Sequence, residues 1–437
     1  MCGTCFIFRG LVGGKGSGGG MGALGAKVAQ ALGPQDPAPV RTGHPYVTPL
    51  KELCIEVVAA NFAGSPSFGA LPALYVKRVV DLLSLELPLE LAGTLIDDES
   101  YWKRRACLRW KSADFIPHGR SWKQLYFERN LEGALEAYDP TSGDPVELKR
   151  LLTYSKRYAR ALTVTQLPAH VDLAMLFDTT ASCLTSLTLT YGMKHVGMDY
   201  DKSLFGMKLS DCRALAKAIE RAETLICLCL SGNLLDDDKV RMVASGLVDN
   251  LSVVHLDLSH NKIADRGVRA LAKLLDNRSV ITFLDLTDNQ IHTEGGRALA
   301  RALRANHSLL SLSLRLNRLG DEGGKAVCDV LRANTTLQKL TLSANSLGPQ
   351  TATALAGLIR TNRTLVSLDV SSNALGVEGG RLVRDALEHN GGVLRHLDVR
   401  QCGMGEDLEA SIADHVKASA AAAEGHMYKA GVITTPQ

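Results

Sequence analysis

The chain has 437 residues, of which 46% are hydrophobic and 22% are charged, and its formal net charge is +3. A charge so close to zero gives no indication of binding to nucleic acid or to a membrane surface, and no run of about 18 apolar residues predicts a membrane span. The ten cysteines follow no pairing pattern, so we expect free thiols in a reducing compartment such as the cytoplasm.

The first 44 residues form a glycine-rich segment with no acidic residue before Asp36. Its apolar run is short and no clear cleavage site follows, so the segment does not have the pattern of a secretory signal. A phosphate-binding loop is also excluded, because Arg9 stands where the first glycine before Gly14 and Lys15 would be required. We expect residues 1–44 to be a disordered tail.

Residues 45–160 have the pattern of a small helical domain. Apolar residues recur at helical spacing in LPALYVKRVVDLLSL at 71–85, and Pro88 is placed to start the helix of LPLELAGTLIDDESYWKRRACLRW at 87–110. All three tryptophans lie in this part, and residues 101–160 contain 13 Lys or Arg against 7 Asp or Glu. This composition fits either a packed core or a basic surface that binds an acidic polymer such as tubulin. The candidate contacts on that surface are Lys103, Arg104 and Arg105.

From Leu225 to Asn373 the chain repeats one pattern six times, every 28 residues. An earlier copy at Leu184 is followed by a longer insertion, and a seventh copy at Leu394 ends in Cys402 after one extra residue. Each of the six copies reads LxxLxLxxN, in which the leucines at period two predict a short strand with one buried face. A helix follows, as in ALARALRAN at 298–306, with Leu and Ala at helical spacing. The asparagine of the pattern recurs at Asn233, Asn261, Asn289, Asn317, Asn345 and Asn373.

The repeats predict an α/β fold, namely a leucine-rich-repeat solenoid over residues 161–415 with a parallel inner sheet and outer helices. The 28-residue length is typical of ribonuclease-inhibitor-like repeats, and the small helical domain precedes them. Because strands sit ~4.8 Å apart and helices ~9–10 Å apart, we expect the stack to bend by about 25° per repeat. Residues 416–437 are expected to be a flexible tail.

Two sets of asparagines are expected to have structural roles. An asparagine amide donates and accepts at once, so the six strand-end asparagines should form a ladder that satisfies main-chain groups where the chain turns. A second set falls at the predicted helix ends, where left-handed backbone geometry favours asparagine. Its members are Asn250, Asn306, Asn334, Asn362 and Asn390.

The residues between the leucines point to the open face of the sheet, where they could support chemistry or binding. Asp257 and Asp285 fall on adjacent strands ~4.8 Å apart, and His255 shares the face of Asp257. No nucleophile, metal-ligand cluster or glycine-rich loop accompanies them, so we predict no enzyme activity, no metal and no cofactor. We expect instead a partner-binding surface. Its candidate residues are Asp257, Asp285, Arg315 and Lys339.

Together with the repeats, the Tyr-Trp-Lys-Arg segment at 87–110 and SWKQLYFERNLE at 121–132 resemble the family of T-complex-associated testis-expressed proteins. This family provides the leucine-rich-repeat subunit of the nexin–dynein regulatory complex in motile cilia and flagella. The resemblance covers about residues 45–415 and implies a non-catalytic subunit that links doublet microtubules and regulates dynein-driven motility. It implies an axonemal location and partners among the other subunits, with tubulin and dynein-arm components as further candidates.

Two alternatives share the same repeats. LPLEL followed by tryptophan-rich helices also resembles an F-box, and an F-box joined to leucine-rich repeats implies a substrate adaptor of a ubiquitin ligase. In that case the helical domain would bind a Skp-like scaffold and the open face of the sheet would bind the substrate. A cytosolic inhibitor similar to ribonuclease inhibitor is the third interpretation, although that class is longer and richer in cysteine.

Overall fold

The computed structural model describes residues 50–139, 143–167, 173–180, 182–192, 205–390 and 393–429. The chain separates into two compact units, Met1–Val58 and Ala59–Gln437. Of the first unit only residues 50–58 are described, and they are helical, so the tail expected at 1–44 lies outside the described residues. No described helix has both the length and the apolar character that a bilayer crossing requires.

Short capped helices form the part of the chain before the repeats. Asp98 accepts hydrogen bonds from the amides of Ser100 and Tyr101 and thereby starts one helix, and Asp144 followed by Pro145 starts another. The helices are α1 (Leu50–Ala60), α2 (Ala73–Leu82), α3 (Leu89–Leu95), α4 (Glu99–Arg109), α5 (Trp122–Ala137) and α6 (Pro145–Ser155).

An aromatic cluster packs α4 against α5. Trp102 is fully buried, its indole N–H donates to the carbonyl of Ile96 at 2.9 Å, and its ring contacts Tyr101, Tyr126 and Phe127. For this tryptophan the packed-core interpretation is therefore the correct one, since a buried indole with its N–H satisfied is not available to a partner.

Nine strands then form one parallel sheet in chain order, each hydrogen-bonded to the next. The register pairs equivalent positions of successive repeats, so that Leu256 lies beside Leu284 and Asp257 beside Asp285. The strands are β1 (Ala161–Leu167), β2 (Ser186–Tyr191), β3 (Cys227–Cys229), β4 (His255–Asp257), β5 (Phe283–Asp285), β6 (Ser311–Ser313), β7 (Lys339–Thr341), β8 (Ser367–Asp369) and β9 (His396–Asp398).

One helix follows each strand, and the repeat leucines are buried in a continuous core between sheet and helices. The predicted leucine-rich-repeat fold, with a parallel sheet and outer helices, is thus confirmed. The helices are α7 (Leu173–Thr180), α8 (Leu209–Glu220), α9 (Asp237–Leu247), α10 (Asp265–Ala272, extended by a 3-10 turn), α11 (Thr293–Leu303), α12 (Gly320–Leu331), α13 (Pro349–Thr361), α14 (Gly376–Leu387) and α15 (Glu406–Lys429).

The strand-end asparagines join neighbouring repeats. Asn289 donates from Nδ2 to the carbonyls of Leu286 in its own repeat and Leu258 in the previous one, both at 3.1 Å. Its Oδ1 accepts from the amide of Ile263 at 3.0 Å. One buried side chain therefore satisfies main-chain groups of two layers, which a leucine or alanine at this position could not do.

Left-handed backbone occurs one residue before these asparagines and not at the asparagines that follow the helices. His260 and Asp288, which precede Asn261 and Asn289, have φ values of 55° and 52°. The left-handed geometry expected for the helix-end set is wrong: Asn362 has φ −73°, and none of that set has positive φ. Those asparagines instead act through their side chains. Asn362 accepts main-chain amides of the following corner and donates to carbonyls of the previous repeat, whereas Asn306 donates to the hydroxyl of Ser308 in its own corner.

Aspartates in the first turn of some outer helices start the next helix. Asp265 accepts at Oδ1 from the amides of His292 and Gly295, each at 2.8 Å. A methyl group added at Gly295 would lie 2.6 Å from that oxygen, which explains why glycine occupies this position. Asp237 and Asp321 make the same kind of contact to the helices that follow them.

Helix α5 covers the free edge of β1 with three glutamates one turn apart. Glu128 accepts from the amides of Arg160 and Ala161, both at 2.7 Å, and Glu132 from Thr163, also at 2.7 Å. Glu136 accepts from the amide of Thr165 at 3.0 Å. The first strand thus has carboxylates in place of a neighbouring strand, and the helices after Ala59 share one compact unit with the repeats. The predicted division at residue 160 remains a prediction.

The other end of the sheet is less covered. Leu397 of β9 is only partly buried, whereas Leu340 and Leu368 at the same position of β7 and β8 are almost fully buried. Helix α15 then runs to Lys429, so a helix occupies residues 416–429 of the expected tail, and residues 430–437 lie outside the described residues.

Candidate partner-binding surfaces

The four charged residues predicted on the sheet lie on its exposed face, but the two aspartates and the two basic residues have different environments. Asp257 accepts from the amide of Ser259 at 2.9 Å, and Asp285 from the amide of Thr287 at 2.8 Å. Asp369 makes the equivalent contact to Ser371 at 3.0 Å. These carboxylates help the chain leave the strand, so they have a structural role that sequence analysis missed. The recurring Asp-x-Ser/Thr pattern was the available signal.

Arg315 and Lys339 are the free charges of this face. Both side chains are exposed, and neither makes an ion pair or side-chain hydrogen bond with any described residue. They share an open groove with Asp285 and Asp369, which also line it, while Asp257 lies beside Asp285 on the neighbouring strand. The groove therefore combines two free cations with carboxylates that are already hydrogen-bonded.

A stacked pair of rings lies next to the aspartates. His255 and Phe283, on adjacent strands, stack with ring centroids 3.9 Å apart and an interplanar angle of 5°. Burial lowers the pKa of His255, while the nearby Asp257 and Asp285 act in the opposite direction. The ring pair is half-buried and offers a flat, weakly polar area of the kind that anchors protein interfaces.

Cys229, on the strand next to that of Asp257, is hydrogen-bonded to this aspartate. Its thiol donates to Oδ2 of Asp257 at 3.2 Å. Burial raises the pKa of Cys229 to about 11, so it stays protonated and serves as a donor. Among the described residues, no group of three His, Cys, Asp or Glu side chains could hold a metal ion.

On the helical part, the structure separates the three predicted basic residues. Lys103 is exposed, with its ammonium 5.7 Å from the ring centre of Trp122. Arg104 donates to the carbonyls of Val80 and Asp81 at 2.9 and 2.6 Å and closes the end of α2.

Arg105 does not belong to the predicted basic surface. It is 8% exposed, donates to the carbonyl of Leu87 at 2.7 Å and stacks on the ring of Tyr126, with 4.9 Å from Cζ to the ring centre. Because its charge is held within the core, it cannot contact a partner, and this part of the prediction is corrected.

Sequence analysis also missed an aromatic and basic area beside Lys103. Two guanidinium groups lie near the ring of Trp110, with Arg109 Cζ 5.1 Å and Arg129 Cζ 5.9 Å from the ring centre. Trp122 stacks on Phe115 with centroids 5.0 Å apart. Spacing could not reveal this arrangement, because it depends on how α4 and α5 pack.

The family profile described as "Leucine Rich repeat" matches residues 249–272, 279–300, 305–328 and 361–383. "Dynein regulatory complex subunit 5" of Chlamydomonas reinhardtii is 60% identical over 196 residues, which are 45% of this chain and 50% of that protein. The mouse protein of the same description is 36% identical over 235 residues, which are 47% of both chains.

Among solved structures, a chain described as "Leiomodin-1 Actin-Binding Site 2 (ABS2)" has a TM-score of 0.32 and 17% identity. It covers 38% of this chain and 95% of its own length, and the likeness is too weak to bear on fold or function. The chain spans about half the length of the curated relatives it matches. The predicted resemblance is confirmed: this leucine-rich-repeat protein is similar, over nearly half of its length, to dynein regulatory complex subunit 5.

Proposed function

We propose that the chain is a non-catalytic, protein-binding subunit of the nexin–dynein regulatory complex in the axoneme of cilia and flagella. The observation that carries this proposal is the 60% identity to the Chlamydomonas subunit. In this role the chain helps to link doublet microtubules and to regulate dynein-driven motility. Its partners are other subunits of the complex, with tubulin and dynein-arm components as further candidates.

The groove on the exposed face of the sheet supplies the principal contact. Its free cations, Arg315 and Lys339, need not break an internal contact to meet carboxylates of a partner. The ring pair of His255 and Phe283 supplies apolar contact area at the same face. A flat anchor next to unpaired charges is an arrangement found at specific protein interfaces.

The test is replacement of the chain in a flagellated cell by the double variant R315E/K339E. We expect normal folding but reduced recovery of the complex in salt-extracted axonemes. The matched control is R213E/K217E, which makes the same change in net charge at exposed positions of α8. Equal incorporation of both variants and wild type would exclude the groove as the contact.

The F-box interpretation makes a different prediction for the same material. Its sequence signal is LPLEL, and in the structure Glu90 of that segment pairs with Arg150 at 2.5 Å. Tyr158 also donates to the carbonyl of Gly93 at 2.7 Å, so the helix that follows LPLEL is used in internal packing. Recovery of a Skp-like scaffold with the tagged chain, and its absence from axonemes, would favour the adaptor function instead.

A further inference from the structure

A row of arginines lies on the outer helices, away from the groove. Arg304, Arg332 and Arg360 fall 28 residues apart, at the ends of the consecutive helices α11, α12 and α13. All three are exposed, and no described residue forms an ion pair or side-chain hydrogen bond with their guanidinium groups. Because adjacent helices pack ~9–10 Å apart, the row extends over roughly 20 Å.

The helix ends alone do not account for this row. A basic residue near a helix carboxyl end gains from the helix dipole. Yet the same position in other repeats is occupied by Val248, Asp276 and Glu388, so the fold does not require arginine there.

The middle arginine of the row approaches the next helix. A methyl group added at Gly357 would lie 3.5 Å from Cζ of Arg332, so this guanidinium reaches across to α13, one turn from Arg360. The carboxylates in the first turns of α11 and α12 do not neutralise the row, because Glu294 and Glu322 lie at the opposite helix ends, where both pair with Arg297. Like charges placed side by side are unfavourable in the isolated protein, and an anionic partner would relieve that repulsion.

The surrounding sequence indicates which anion. Residues 293–363 contain ten Lys or Arg, of which Arg315 and Lys339 belong to the groove, against four Asp or Glu, and no Phe, Tyr or Trp. Single-stranded nucleic acid is bound mainly by combining cations with aromatic rings on which bases stack, and this segment offers no such rings. Guanidinium groups alone can bind a row of carboxylates on a protein, through charge-assisted hydrogen bonds.

We propose that Arg304, Arg332 and Arg360 form a second binding surface, which takes an acidic segment of a partner protein. An acidic helix of about 13 residues, at 1.5 Å per residue, would span the row. This surface is on the helical side of the repeats and does not depend on which complex the chain joins.

Fluorescence anisotropy of labelled decaglutamate with the purified full chain tests the proposal. We expect binding that weakens with salt, and about tenfold lower affinity for R304E/R332E/R360E, since three exposed ion pairs contribute roughly 0.5 kcal/mol each. The control R213E/R269E/K325E makes the same change in net charge on the outer helices and should lower affinity less than threefold. If R304E/R332E/R360E fails to fold, R304Q/R332Q/R360Q replaces it, and we expect its affinity to be about fivefold lower than that of the wild-type chain.

Three results would overturn the proposal. The first is no binding of decaglutamate to the wild-type chain at millimolar concentration. The second is an equal loss of affinity in the arginine-row and control variants, which would indicate only general attraction by net charge. The third is tighter binding of a ten-nucleotide thymidine strand than of decaglutamate, with loss of that binding in the arginine-row variant.

Discussion

The two ends of the repeat sheet are covered in different ways. The outer edge of the first strand has no neighbouring strand. Main-chain amides there donate hydrogen bonds instead to the carboxylates of Glu128, Glu132 and Glu136 of α5. At the last strand, Leu397 is only partly buried, whereas Leu340 in the interior is fully buried. Each repeat relies on its neighbours for burial, so the terminal layers need separate solutions. Among the described residues, the first end has a dedicated polar cap, and the last end is packed by α15, whose Ile412 and Val416 are buried.

The interior of the stack should be the most sensitive region. Asn289→Leu removes a buried side chain that bonds to Ile263, Leu258 and Leu286, and we expect a loss of roughly 3 kcal/mol in the free energy of unfolding. Gln290→Leu, at the exposed neighbouring position, should change it by less than about 0.5 kcal/mol. Equal thermal midpoints for the two variants would contradict the role of the asparagine ladder.

Leucines at the same repeat position should contribute more to the free energy of unfolding in the interior strands than in the last strand. Leu340→Ala creates a cavity in the core and should cost about 3 kcal/mol, whereas Leu397→Ala should cost about 1 kcal/mol, because Leu397 already has partial exposure. Chemical denaturation of both variants measures the difference. A larger loss for Leu397 would show that the last edge is better packed than its exposure indicates.

The polar cap of the first strand should be weaker than the interior ladder but measurable. Glu128→Ala leaves the amides of Arg160 and Ala161 without their acceptor, and we expect about 2 kcal/mol of destabilisation. Glu128→Gln keeps an acceptor oxygen and should lose about half as much, while exposed Glu86→Ala serves as the control. A Glu128→Ala variant as stable as wild type would mean that the edge needs no carboxylate.

The strand-end aspartates should respond according to their hydrogen bond and not their charge. Asp285→Asn keeps the acceptor for the amide of Thr287 and should be nearly neutral, whereas Asp285→Lys removes it and should cost about 1 kcal/mol. Thermal unfolding at neutral pH distinguishes them. If the asparagine variant were as unstable as the lysine variant, the carboxylate charge itself would be required.

The smallest effect is expected from His255, through pH. Burial lowers its pKa from the usual 6.5, so the unfolded chain binds more protons than the folded one just below that value. This contribution to stability is therefore complete above pH 6.5 and is lost as the pH falls towards the lowered value. His255→Phe keeps a ring against Phe283 and should flatten the stability profile just below pH 6.5, and an unchanged slope would count against this.

The sequence predicts the repeats well because their signal is periodic and local. Asn289 and its equivalents mark the turns after β3 to β8, and the register that they imply is the one observed. What sequence analysis missed depends on contacts between layers or helices. Asp265 starts the helix of the next repeat, and Glu128 bonds to a strand that begins 33 residues later, so neither role is visible in local spacing.

The candidate sites were less predictable, because the exposure of a side chain depends on tertiary packing and does not follow from the sequence. Lys103, Arg104 and Arg105 are consecutive in sequence, yet one is exposed, one closes a helix and one is in the core. Likewise, Asp285 and Arg315 both line the groove. The carboxylate of Asp285 accepts a main-chain amide, whereas the guanidinium of Arg315 bonds to no described residue.

Cross-linking mass spectrometry on intact cilia tests the central proposal most directly. Lys339 is an exposed amine in the groove, and Lys217 is an exposed amine on the outer helix α8. We predict cross-links from Lys339 to other subunits of the dynein regulatory complex, and markedly fewer of them in the R315E variant. Recovery of Lys339 without any link to those subunits, while Lys217 is linked to them, would contradict binding through the groove.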